Sequence, residues 1–63
     1  MNNDFYDKLP EIACEILDGI IMEYGNEPWF EEAWEEYRQH VLNTDMDHVR
    51  MPWFIFSKYV EKK

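Results

Sequence analysis

The stretch Leu9-Pro10-Glu11-Ile12-Ala13-Cys14-Glu15-Ile16-Leu17-Asp18-Gly19-Ile20-Ile21-Met22-Glu23-Tyr24-Gly25 decides the fold class. Its apolar residues, Leu9, Ile12, Ala13, Ile16, Leu17, Ile20, Ile21 and Tyr24, recur at the i, i+3, i+4, i+7 spacing of a helix with one buried face. Pro10 suits a first helical turn, where its missing N–H is not needed, and Gly25 suits a left-handed residue after the last turn. The spacing predicts a helix over about 9–24. Glu11, Glu15 and Asp18 fall on its opposite face, with Met22 in their midst. Upstream, Asn3 and Asp4 are placed to cap a short turn holding Phe5 and Tyr6. That turn cannot run straight on, because Pro10 would clash with the Tyr6 carbonyl.

Downstream, Asn26 reads as an N-cap with Pro28 in the first turn and Asn43 near the end, which predicts a second helix over about 27–42. Trp29, Phe30, Ala33, Trp34, Tyr37 and Val41 share one side of it, and Glu27, Glu31, Glu32, Glu35 and Glu36 share the other. Arg38 is the one base on that acidic side. Thr44 followed by Asp47 fits a capping box opening a short turn through about Arg50, and Pro52 biases Met51 toward extended backbone. The final segment, about 52–61, is rich enough in aromatic and β-branched residues for a strand, yet Trp53, Phe56, Tyr59 and Val60 share a helical face. A strand would need a pairing neighbour, and no other segment reads as one, so a helix is expected. On this face Phe54 falls on the polar side. The expectation is an all-α domain of two amphipathic helices and a C-terminal helical segment, spanning residues 1–63.

Composition bounds what such a domain can do. Fourteen Asp and Glu against six Lys and Arg leave a formal charge of −8 on 63 residues. A chain this short hides only about 60% of the surface its unfolded form exposes, so a deep enzyme pocket is not expected. The aromatic content, 17%, is too high for a disordered acidic tail. Direct nucleic-acid binding is disfavoured, because it needs clustered Lys and Arg. No run approaches the roughly 18 apolar residues of a membrane span, and Met1-Asn2-Asn3-Asp4 lacks the basic start of a secretion signal, so a cytoplasmic chain away from membranes is expected. Cys14 is the only cysteine, which leaves no disulfide framework and no CxxC pair.

Candidate chemistry is sparse. Thr44 and Ser57 sit in no nucleophile motif, and the two glycines make no phosphate loop. Asp45, Asp47, His48 and His40 lie near one another in sequence but match no metal-ligand spacing, and Asp45 and Asp47 suit a helix N-terminus. No enzyme activity, metal or cofactor is expected. The charge layout is the informative feature. Residues 1–36 hold eleven acids against Lys8 alone, a net of −10, and residues 37–63 come to +2. Glu11/Glu15, Glu27/Glu31, Glu31/Glu35 and Glu32/Glu36 are like-charge i, i+4 pairs, each destabilising by about 0.2–0.5 kcal/mol with no interleaved lysine to relieve it. A helix over Pro28–Leu42 is about 22 Å long, and duplex DNA of that length carries about 13 phosphates, the same order as the eleven acids. Met22 and Phe54, apolar on polar faces, are candidate anchors.

In length, charge and lack of catalytic motifs, and in the segment Asn26-Glu27-Pro28-Trp29-Phe30-Glu31-Glu32-Ala33-Trp34-Glu35-Glu36-Tyr37, the chain resembles the small acidic phage-encoded inhibitors, DNA mimics and anti-CRISPR proteins among them. The resemblance implies a non-enzymatic inhibitor, acting in the host cytoplasm, that occupies a basic nucleic-acid-binding protein or complex such as a CRISPR effector. Glu27, Glu31, Glu32, Glu35 and Glu36, supported by Glu11, Glu15, Asp18 and Met22, are the expected contact residues. The alternative is a protein–protein adaptor or assembly module that binds through exposed apolar residues, as a monomer or weak homodimer, with the acids serving solubility.

Overall fold

Pro10 sets the first boundary of the chain. In a computed structural model that describes residues 4–61, it takes the extended backbone of an N-cap (φ −66°, ψ 158°), and its carbonyl accepts the N–H groups of Ala13 and Cys14 at 3.0 and 3.2 Å. Helix α1 then runs Glu11–Tyr24, helix α2 Phe30–Leu42 and helix α3 Trp53–Glu61. Single 3-10 turns precede α1 (Asp4–Lys8) and separate α2 from α3 (Met46–His48). Among the described residues there is no strand, and the segment that could have been one is α3. Asn3 and the residues at both extreme ends lie outside the described part.

The buried side chains form one cluster, drawn from every helix and from the first 3-10 turn: Phe5 and Leu9, Ala13, Leu17 and Ile20, then Phe30, Ala33, Trp34, Tyr37 and Val41, and finally Ile55 and Phe56. Phe5 is its plug. Its fully buried ring meets Trp34 and Tyr37 edge-on at centroid distances of 5.5 and 6.1 Å, and burying one such ring stabilises by about 1.5–3 kcal/mol. On the other side of α2, Phe56 packs against Phe30 and Tyr37 at 5.8 and 6.2 Å. Helix α2 thus lies between the N-terminal turn and α3, and its aromatic stripe meets both.

Several local expectations are corrected. Gly25 is right-handed (φ −58°, ψ −21°). What requires a glycine there is crowding, because a Cβ would run into the carbonyl oxygen of Ile21. Asn26 is not the cap of α2. The chain turns through Glu27, whose N–H reaches the Tyr24 carbonyl at 2.9 Å and whose carbonyl takes the Phe30 N–H at 3.0 Å, so α2 begins three residues late, with Trp29 in the cap position. Thr44 caps nothing. Asp45 precedes the short Met46–His48 turn, which ends before Arg50, and the Thr44 hydroxyl lies 3.5 Å from Nδ1 of His40. Ile12, read as core, is 59% exposed, and Trp53 is 40% exposed. The core position of α3 belongs to Ile55, which the helical-face reading passed over, beside Phe56.

Residues 49–51, between the second 3-10 turn and α3, are held by side chains of α2. Tyr37 donates its hydroxyl to the Arg50 carbonyl at 2.6 Å, and Nε2 of His40 accepts the Arg50 N–H at 3.0 Å. Both backbone groups of Arg50 are therefore satisfied by side chains of α2, without a helix or sheet partner. Burial holds the Tyr37 phenol up at a pKa of about 12.

Candidate functional site

The expected contact surface consists of acids on two helices, and the structure treats the two helices differently. On α1, Glu11, Glu15 and Asp18 all face solvent, and Met22 in their midst is 88% exposed. The helix has no Lys or Arg, and among the described residues none of the three acids makes an ion pair. Ile12, Glu15, Gly19 and Met22 follow one another at intervals of three and four, so they share the outward stripe of the helix. A Cβ placed on Gly19 would meet open space. This face mixes two exposed apolar side chains, four carboxylates including Glu23, and a bare stretch of backbone at Gly19.

On α2 the acids diverge. Glu31 and Glu32 face solvent, but Glu35 and Glu36 are engaged within the molecule. Arg38, at the edge of the buried stripe, gives Nη1 to Glu35 at 2.9 Å and Nε to Asp4 of the N-terminal turn at 3.1 Å. Gln39 adds a hydrogen bond to the same Glu35 oxygen at 3.1 Å. The bonds from Gln39 and then Arg38 hold the Glu35 carboxyl below its ordinary pKa, and the two carboxylates raise that of the guanidinium. On the opposite flank, Glu36 receives Nζ of Lys58 at 3.0 Å and the hydroxyl of Tyr59, tying α2 to α3. The short bond to Glu36 pushes the Tyr59 phenol up to about 12. Glu27 sits in the turn before α2 and is half-buried.

The expected unrelieved face of α2 is therefore relieved at two places, at Glu35 by Arg38 one turn along the same helix and at Glu36 by Lys58 of α3. Sequence spacing tests for bases only at i±3 and i±4, whereas Asp4–Arg38 and Glu36–Lys58 join residues far apart in the chain. Three of the eleven N-terminal acids, Asp4, Glu35 and Glu36, hold ion pairs. The molecule is 31 Å long, and duplex DNA of that length carries about 18 phosphates. Even all eleven acids reach less than two thirds of that density.

The N-terminal turn joins the two acidic regions. Tyr6 donates to Asp18 of α1 at 3.4 Å, and its carbonyl accepts the Cys14 thiol at 3.8 Å. Burial, then Asp18, pushes both Tyr6 (to about 12) and Cys14 above their ordinary pKa values. A raised thiol is a poor nucleophile, so Cys14 serves here as a half-buried packing group. Among the described residues no group of three or more His, Cys, Asp or Glu is placed to hold a metal ion, and no helix is long and apolar enough to cross a membrane.

A second exposed region lies at the start of α3. Phe54, 53% exposed, carries the Arg50 guanidinium 4.7 Å from its ring centroid, and Trp53 stands edge-on to Tyr24 at 6.0 Å. Compared with known proteins, the chain matches no family model, no curated protein and no solved structure.

Proposed function

We propose that this protein is a non-enzymatic binding protein that occupies the Lys/Arg-rich surface of a nucleic-acid-binding protein or complex and excludes the nucleic acid from it. One observation carries the reading: the outward face of α1 sets Glu11, Glu15 and Asp18 around a Met22 that is 88% exposed, on a helix without a single base. Carboxylates there replace phosphate oxygens in contacts with arginine, and Met22 and Ile12 supply the apolar anchors in which binding energy concentrates. Glu31 and Glu32 extend the acidic field along α2 and speed encounter with a basic partner. Glu35 and Glu36 belong to the scaffold. The charge-lined channel of a guide-RNA effector complex is one target of the right chemistry.

The test is capture of partners from a lysate of the host cell at low and high salt, with the native chain and with a Glu11→Lys/Glu15→Lys/Asp18→Lys variant. The expected partner is a basic nucleic-acid-binding protein that is lost at high salt, displaced by excess duplex DNA or RNA, and not captured by the variant. Retention of the same partners by the variant at high salt refutes the reading.

A further inference from the structure

We propose that His40 is an acid-operated latch on the segment joining α2 to α3: the neutral imidazole holds Arg50 in place, and protonation of the ring lets the segment go. The geometry fixes the state of the ring. Nε2 accepts the Arg50 N–H at 3.0 Å, so it carries a lone pair, and the ring proton sits on Nδ1, 3.5 Å from the Thr44 hydroxyl oxygen. An imidazolium carries a hydrogen on both nitrogens. It turns one N–H toward another, and the contact that holds the segment becomes a repulsion.

Little else restrains the segment at this point. Between Asp45 and Arg50, among the described residues, the hydrogen bonds to α2 both end on Arg50, one from the Tyr37 hydroxyl to its carbonyl and one from its N–H to His40. The bond from the His48 N–H to the Asp45 carbonyl, at 2.8 Å, lies within the turn itself. Beyond the segment, the buried Pro52, Ile55 and Phe56 keep α3 docked on the core, so the release is a local opening. The Arg50 guanidinium, now over the Phe54 ring at 4.7 Å, is freed with it.

No countercharge offsets a proton on the ring. Among the described residues His40 makes no ion pair. Glu36, one turn earlier on α2, is engaged by Lys58 and Tyr59 of α3, and Asp45, Asp47 and His48 of the 3-10 turn face solvent. From the linker comes Arg50, a charge of the same sign as an imidazolium. The Tyr37 ring, 6.0 Å from that of His40, holds its phenol proton to about pH 12 and adds no negative charge. Histidine is the side chain that changes charge between about pH 5 and 8, so mild acid is enough to work the latch. It uses no residue of the α1 face and stands or falls independently of the proposed binding role.

NMR of the full chain tests the proposal. At about pH 7.5 the ring nitrogens of His40 should report a neutral imidazole protonated on Nδ1. At about pH 5.5, where histidines gain a proton and most carboxylates keep their charge, the hydrogen-exchange protection of the Arg50 amide, corrected for the intrinsic rate, should fall by roughly fivefold or more, as one lost hydrogen bond requires. Amides in the middle of α1 should keep theirs. His40→Gln, whose side-chain carbonyl accepts the same N–H at either pH, should hold the Arg50 protection constant, and His48→Gln should behave as the native chain. Circular dichroism checks the helicity of each variant. A neutral His40 protonated on Nε2, Arg50 protection that is equal at the two pH values in the native chain, a fall that His48→Gln abolishes, or an equal fall in folded His40→Gln overturns the proposal. The first three readouts decide it even where His40→Gln does not fold.

Discussion

Reversing the charge of Glu36 should destabilise the fold, whereas the same reversal at Glu32, one turn away on the same helix, should not. From local spacing alone both substitutions relieve a like-charge i, i+4 pair, and both take the net charge from −8 to −6 by replacing −1 with +1. The difference between them therefore isolates the tertiary contacts. Glu36→Lys removes the ion pair with Lys58, whose side chains are 41% and 54% exposed, worth about 0.2–1 kcal/mol at that exposure. It also removes the carboxylate that accepts the Tyr59 hydroxyl, about 1 kcal/mol for a hydrogen bond near the surface. The two together come to about 1–2 kcal/mol, and 1 kcal/mol moves the midpoint of a domain this small by roughly 4–8 °C. Thermal unfolding followed by circular dichroism should place Glu36→Lys about 5–15 °C below Glu32→Lys. A double-mutant cycle of Glu36→Ala with Tyr59→Phe should return a positive coupling energy. Equal midpoints for the two charge reversals, or a coupling of zero, would refute the assignment of Glu36 to the scaffold.

The two glycines should respond in opposite directions. Gly19→Ala, in mid-helix with open space around the added methyl group, should stabilise by about 0.5–1 kcal/mol, and Gly25→Ala, which drives a Cβ into the Ile21 carbonyl, should destabilise by roughly 1 kcal/mol or more; urea unfolding of both variants measures this. Alkali should unfold the protein in a defined window. Tyr6, Tyr37 and Tyr59 hold their protons to about pH 12 in the fold against an ordinary value of 10.0. Above pH 10 the unfolded chain thus carries fewer protons than the folded one, and stability falls as pH rises from 10 to 12. Urea midpoints measured across that range should decline steadily, and Tyr59→Phe should flatten the decline.

Much of the architecture was legible in the residues because it is local. Apolar spacing located α1 and the buried stripe of α2, and Pro10, Asn43 and Pro52 marked boundaries through their own backbone chemistry. Exposure of Glu11, Glu15, Asp18 and Met22 followed from the wheel of α1 alone, because only one side of that helix is covered. Ile12 was misread because it lies at the border of the apolar stripe, and only the packing neighbours decide which border residues a core reaches. The start of α2 was misread because Asn26 and Pro28 favour a helix start there, while the chain needs a turn through Glu27 to bring Phe30 onto the core.

By itself, then, the sequence determined the class: helical, small, acidic, with the charge concentrated in the first thirty-six residues. These are consequences of composition and of interactions within four residues along the chain. Only the tertiary structure decided which carboxylates are tied across the fold and which face solvent. Arg38 reaches back to Asp4 and Lys58 reaches Glu36 because folding lays the N-terminal turn and α3 on either side of α2. A charge pattern read along one dimension counts every acid alike, and neutralisation across a fold depends on neighbours that the linear order does not contain.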